Sequence, residues 1–358
     1  MRTAWRSVWT ARTCADPVYN STPVRLPSLP IDRLRVLHLG GYWRGPNDMV
    51  RQMMLGLRSA GAEVLEYNTD DHPEALDTDG LLYDRGTTGP VWLRWDHLRG
   101  PLMDWNPQLV ICNAGGLSFQ PETAAMLRQR LCLLGIALSD PDVFAATTRH
   151  IARNFDFFLT NAPTLVEVYG DLGVPAAVVP AATHEELFRP VPPRPEMRCE
   201  VLVLGRAHPD RVEPVRALGR SFDVHVYGEG WESHGIASRG LVLGDDALAA
   251  LASAQVTVVF HLMGSGYPLM KVGLFDFLAA GALVATNRSP LVEPFLTFGE
   301  ELVGFGSTPD LIAQVRHVLE HPAAAERMRQ AGRARVLRDY TWRTAWPGVL
   351  RRLTELPA

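Results

Sequence analysis

From residue 35 onward, short apolar runs alternate with stretches that repeat every three to four residues. RVLHLGG (35–41) is apolar and ends in glycines, and NDMVRQMMLGLRSAG (47–61) has helical periodicity with a glycine stop. AEVLEYNTD (62–70) is a further strand, which completes a β-α-β unit. A less regular stretch containing LLYD and VWLRWDHL follows. Strands are then expected over 107–114, 132–140, 155–161 and 176–182, with helices over 122–131 and 163–173. Residues 183–198 interrupt the alternation with Pro190, Pro192, Pro193, Pro195 and several charges, the composition of a connector. A second alternation predicts strands over 199–207, 223–231, 240–244, 256–262 and 301–305, and helices over 214–222 and 246–254. Strands and helices in this rhythm imply parallel sheets covered on both faces, with ligands outside the carboxyl ends of the strands.

The segment KVGLFDFLAAGALVATN (271–287) asks for more than a core helix. Pro268 suits a first helical turn, Gly281 suits the residue after the last, and Met270, Leu274, Phe277 and Leu278 form an apolar stripe. The helix follows HLMGSGYP (261–268), a small-residue loop carrying Gly266. Amides at a helix start attract phosphate, and Lys271 adds a full charge there. Five residues of helix advance about 7.5 Å, close to the reach from a pyrophosphate to its ribose, so Asp276 could accept from sugar hydroxyls. They also rotate the chain by about 140°, so both side chains serve one ligand only if Lys271 sits in the loop or an uncoiled first turn. A solvated charge and a surface acid fit the same pattern, and both readings stay open here.

Length and charge narrow the class. The chain has 358 residues, enough for two domains of ordinary size, and a net charge of −4 from interspersed residues, so no footprint for nucleic acid or an anionic membrane is visible. Its four cysteines (14, 112, 132, 199) are far apart, which argues against a zinc site and a disulfide framework. No run is apolar enough to span a membrane and the start lacks the apolar core of a secretory signal, so a soluble, cytoplasmic protein is expected. Residues 1–30, with Trp5 and Trp9, are read as an arm or as a helical turn docked on the body, and the N-S-T sequon at Asn20 as chance.

The strings PLMKVGLFDFLAAGALVATNRSPLVEPF (268–295) and LIAQVRHVLEHPAAAERMRQAGRARVLRDYTWRTAW (311–346) resemble the donor-binding half of GT-B glycosyltransferases of group 1 type, nearest the CgeB/YkvP spore-protein-like branch. Coverage is good over 199–346 and thin in the N-terminal half. The resemblance implies an α/β protein with two Rossmann-like, doubly wound domains facing a central cleft. It divides the chain into an arm (1–30), an acceptor-side domain (31–182), a linker (183–198), a donor-binding domain (199–340) and a C-terminal helix (341–358) packing back on the N-terminal domain.

The activity so implied is metal-independent sugar transfer from a nucleotide diphosphate donor, UDP-linked or similar, to a small-molecule or cell-surface acceptor. No further cofactor and no nucleic-acid partner are expected, and retention of anomeric configuration is favoured. Lys271, Phe275 and Asp276 occupy the family's basic-residue and Phe-Glu positions, which implies that Asp276 binds ribose. Arg206 and Arg211 in GRAHPDR (205–211) join Lys271 on the diphosphate, with Gly266 in the donor loop. Gly41 in LGGYWRGPND (39–48) brings backbone amides to the sugar or phosphate. The family's more distant relatives carry a second acid where this chain has Pro268, so a sugar-contacting role does not carry over.

Asp140 is a candidate cleft carboxylate and His261 a candidate for proton transfer or diphosphate contact, each weighed against a turn residue and a structural histidine. Asn47 and Asp48 are read as a helix cap, and DTD (77–79) as a surface loop, not a metal motif. The GxGxxG spacing of a dinucleotide site is absent, which disfavours an oxidoreductase. An epimerase or hydrolase on the same scaffold, and a non-catalytic binding protein, remain as alternatives.

Overall fold

A computed structural model of the protein describes residue 26 and residues 30–41, 48–77, 89–113, 117–262, 266–271 and 273–356. Readings that rest on most of the first thirty residues, on the end of the DTD run and on Asn47 lie outside these.

The first sheet is built from β1 (Arg35–Gly40), α1 (Met49–Ser59), β2 (Glu63–Asn68), β3 (Val91–Leu93), α2 (Trp95–Trp105), β4 (Leu109–Asn113), β5 (Leu117–Phe119), α3 (Pro121–Leu127), β6 (Cys132–Ala137), α4 (Arg149–Ile151), β7 (Phe157–Thr160), α5 (Val166–Asp171) and β8 (Ala176–Val178). Its six parallel strands run in the order β2-β1-β4-β6-β7-β8, and β3 and β5 form a separate two-stranded ribbon. The less regular stretch near residue 90 therefore resolves into β3 and α2. Apolar runs rather than alternation mark these strands because both faces are covered. Val36, Leu109, Ile111 and Leu134 pack toward α1, while Leu37, Val110, Cys112 and Leu133 pack toward α2 and α3.

The second sheet follows as β9 (Cys199–Leu204), α6 (Pro209–Gly219), β10 (Val224–Tyr227), α7 (Gly244–Ser253), β11 (Ala254–Val259), α8 (Gly273–Ala279), β12 (Val284–Asn287), β13 (Val303–Phe305), α9 (Thr308–Glu320), α10 (Pro322–Asp339) and α11 (Trp342–Thr354). Its five parallel strands are ordered β10-β9-β11-β12-β13. Three sequence expectations shift. Residues 240–244 form no strand: Gly240 takes a left-handed φ of 83° and Leu241 and Leu243 are exposed in a loop. Helix α6 begins at Pro209, whose missing N–H costs nothing in a first turn, well before the expected residue 214. Helix α8 begins at Gly273 and not at Pro268, because Pro268 pairs with Leu262 and Leu269 N–H donates to His261 O (2.7 Å), which keeps 266–271 extended.

The chain crosses between the sheets twice, at 182–183 and at 340–341, and the crossings are bonded to each other. Thr183 N–H donates to Tyr340 O (3.0 Å) and Trp342 N–H to Thr183 O (2.9 Å). Beyond the second crossing α11 lies on α1 of the first sheet. Trp342, Trp346, Leu350 and Leu353 join that core, and Trp346 Nε1–H donates to Met53 O (2.7 Å). Gly56 permits the contact, since a Cβ there would collide with the Trp342 side chain. Leu26 is buried beside the same helix, its N–H on Leu353 O (3.3 Å). Among the described residues no helix is long and apolar enough to cross a membrane.

Candidate functional site

Each sheet has one point where the strand order turns back, between β1 and β4 and between β9 and β11. Chain connections leave in opposite directions there and open a crevice at the carboxyl ends. Gly41 stands directly after β1, and Asn113 Nδ2–H donates to its carbonyl (3.2 Å). A Cβ at Gly41 would sit 2.5 Å from the Asp70 carboxylate, so the Asp70 side chain lies against this glycine. A carboxylate therefore stands beside the turn that follows β1.

The second switch point is basic. After β9 the chain turns through Gly205, held by Trp231 Nε1–H on its carbonyl (2.8 Å). Arg206 follows, exposed and paired with Glu229 (2.6 Å). Arg211, in the first turn of α6, is buried, donates from Nη1 to Arg206 O (3.1 Å) and lies 5.8 Å from the centre of the Phe260 ring. Its Nε–H makes no hydrogen bond among the described residues and faces the Asp210 carboxylate at 3.9 Å. Lys271 sits in the loop before α8, which is the condition the helix geometry set for it. His208 joins the three cations: burial first, then the charges of Arg211, Lys271 and Arg206, hold its imidazole below its ordinary value. Asp210 opposes those charges. His208 escaped the sequence reading because only its position beside Pro209 marks it.

His261 is not an available acid or base. It is buried, its Nδ1 accepts the Lys271 backbone N–H (3.1 Å), and its Nε2 meets Thr286 Oγ1 (2.7 Å). The Thr286 hydroxyl is already given to Val259 O (2.8 Å), so it accepts from Nε2–H and the tautomer follows. Burial, then the Lys271 charge, pull the ring down to about 4, so it is neutral at physiological pH. It holds the loop that carries Lys271.

Asp140 is likewise corrected. It is fully buried and accepts hydroxyls from Thr148 (2.9 Å), Thr160 (2.8 Å) and Tyr169 (2.7 Å). Its carboxylate ties β7 and α5 to the turn after β6, out of reach of a ligand.

Asp276 is placed at the seam between the halves. Its Oδ1 accepts from Thr183 Oγ1 (2.7 Å) and its Oδ2 from Gln52 Nε2 (3.3 Å), and burial pushes it up to about 7 against those bonds. Gly266 is exposed with a left-handed φ of 80°. The adjacent Tyr267 reaches the other half, its hydroxyl 2.9 Å from Thr164 Oγ1. Neither Tyr267 nor Thr164 carried a sequence signal, because their meeting spans 103 residues. An open cavity of about 460 Å³ lined by Arg198, Glu200, Asp223 and Arg329 lies at the amino ends of β9 and β10, away from all these groups.

Residues 209–349 match the family model described as Glycosyl transferase-like. No curated protein sequence matches the chain. Among solved structures, the fold is similar to a sucrose-phosphate synthase from Thermosynechococcus elongatus, at 16% identity and a TM-score of 0.57 over 89% of this chain and 98% of that one. AviGT4, a glycosyltransferase involved in avilamycin A biosynthesis, matches at 16% identity and 0.55 over 90% and 98%. Anabaena HepE in complex with UDP-glucose matches at 10% identity and 0.57 over 90% and 100%. The chain thus has the mixed α/β GT-B fold with a glycosyltransferase-like domain in its C-terminal half.

Proposed function

We propose that the protein transfers a sugar from a nucleotide diphosphate donor to an acceptor, with the diphosphate held at the carboxyl ends of β9 and β11. The observation that carries this reading is that Arg211, over the Phe260 ring and bonded to the Arg206 carbonyl, and Lys271, bonded through its backbone to His261, flank the carboxyl end of β11. Arg211 contributes most, since its guanidinium is already desolvated. Fixed cations on a leaving diphosphate stabilise the charge that develops as the glycosidic bond breaks, and being preorganised they need no rearrangement at that moment. His261 and Thr286 keep Lys271 in place.

The finer assignments belong to the same reading. The donor is a UDP-sugar, in keeping with HepE, a protein of the same fold solved with UDP-glucose. Cationic side chains do the work a metal would do elsewhere, no cofactor beyond the donor is used, and retention is favoured. The first sheet supplies the acceptor side, where Gly41, Asp70 and Asn113 suit a hydroxylated acceptor. The residue pattern over 268–295 supports the CgeB/YkvP-like branch, and the protein works in the cytoplasm.

A panel of sugar nucleotides tests the reading by thermal shift, followed by diphosphate release with and without acceptors and with and without a chelator. Acceptor-dependent release is the expected result. Binding without turnover would favour a non-catalytic protein, and acceptor-independent release a hydrolase or epimerase. NMR of the product anomer decides the stereochemical outcome.

A further inference from the structure

We infer that Asp276 is an interdomain clamp, joining the start of α8 to α1 and to the chain crossing, and that it is not the acceptor of the donor's ribose. The network is buried. Gln52, in the second turn of α1, donates through Nε2 to Asp276 and accepts the His184 backbone N–H on Oε1 (3.0 Å). Thr183 donates its hydroxyl to the other carboxylate oxygen, while its backbone bonds both sides of the second crossing. Gln52 is 1% exposed, Thr183 0% and Asp276 7%. Three segments distant in sequence therefore meet at one carboxylate where the chain passes from one sheet to the other.

A carboxylate suits this position because it accepts from two donors at once, and its two oxygens point to two different segments. The amide of Gln52 is oriented by His184, so it presents N–H and not carbonyl oxygen to Asp276. Helix α8 is thereby set against α1 in one orientation, and Lys271, a few residues before α8, inherits that orientation. The inference rests on this network and stands whether or not the chain binds a nucleotide.

The polarity of the network supplies its own test. Asp276→Asn sets its N–H either against the Gln52 N–H or against the Thr183 hydroxyl, which must then turn to accept, and Gln52→Glu places two carboxylates face to face. In the double exchange, Asp276→Asn with Gln52→Glu, the new amide donates to the new carboxylate, so the bond between positions 276 and 52 is restored with reversed polarity while Thr183 and His184 keep their acceptors. Spin labels at Met126→Cys and Ala313→Cys, exposed on the two halves, report the interdomain distance in a Cys14→Ser background.

The expected result is that each single change lowers Tm by at least about 2 °C and broadens the distance distribution, and that the double exchange regains at least about half of both losses. A double exchange no better than the worse single change overturns the clamp. UDP and its 2′,3′-dideoxy analogue provide a second readout. The clamp predicts the same affinity ratio in the wild type and the double exchange, and loss of that discrimination when the carboxylate at 276 is removed overturns the inference in favour of ribose binding. If UDP does not bind the wild type at all, the functional reading fails while Tm and distance still decide the clamp.

Discussion

The backbone N–H of Lys271 donates to Nδ1 of His261 across 3.1 Å, so a buried neutral imidazole at the end of β11 sets the backbone position of Lys271. Thr286 completes the arrangement by fixing the tautomer. Replacing His261 by alanine removes the acceptor and frees the loop while leaving Lys271 intact. The expected outcome is a roughly 10-fold or greater rise in donor KM, in keeping with about 1.4 kcal/mol or more for the lost strut. Steady-state kinetics at varied donor concentration check it, and an unchanged KM would contradict the role.

The same histidine makes stability depend on pH with a definite sign. Its folded value, about 4, lies below the ordinary 6.5, so the folded state binds fewer protons than the unfolded one between these limits. The contribution is complete above about 6.5 and is lost as pH falls toward about 4. Asp276, raised to about 7 from 3.8, runs the other way and weakens the fold as pH rises across that interval. Denaturant titrations from pH 4 to 8 should show His261→Gln losing the acid-side decline that the wild type carries from this group.

Arg211→Ala and Lys271→Ala should each reduce turnover by about 10²-fold or more, since a preorganised donor at a developing charge contributes about 2.7–4 kcal/mol. Diphosphate release under saturating donor measures this. Near-normal rates in both variants would remove the cations from the chemistry.

Asp140→Ala should act on stability and not on catalysis. It leaves the hydroxyls of Thr148, Thr160 and Tyr169 without their acceptor in a dry interior, at about 1–3 kcal/mol for each orphaned group. Denaturant titration should show the loss, and kcat per folded molecule should stay near that of the wild type.

Gly56→Ala should lift α11 from α1, because the added methyl group enters the space of the Trp342 side chain. Overpacking of this kind costs about 1–3 kcal/mol. Faster proteolytic cleavage near residue 341, with both sheets otherwise retained, is the expected observation.

The alternation of apolar runs and helical periods determined the two parallel sheets, because strands covered on both faces are apolar over most of their length, as β1, β4, β9 and β11 are. The position of Lys271 in a loop before its helix was legible too, since the small-residue run ahead of it is a local property. What the sequence could not decide was the direction and company of single side chains. Asp140 and His261 looked like site chemistry and are internal struts. Asp276 spends both oxygens on Gln52 and Thr183, partners 224 and 93 residues away. Helix α8 starts late because loop residues bond back to His261, not because of any residue at its own start. Periodicity records which face of an element is dry, and only the packed tertiary structure records which polar groups meet across dry faces.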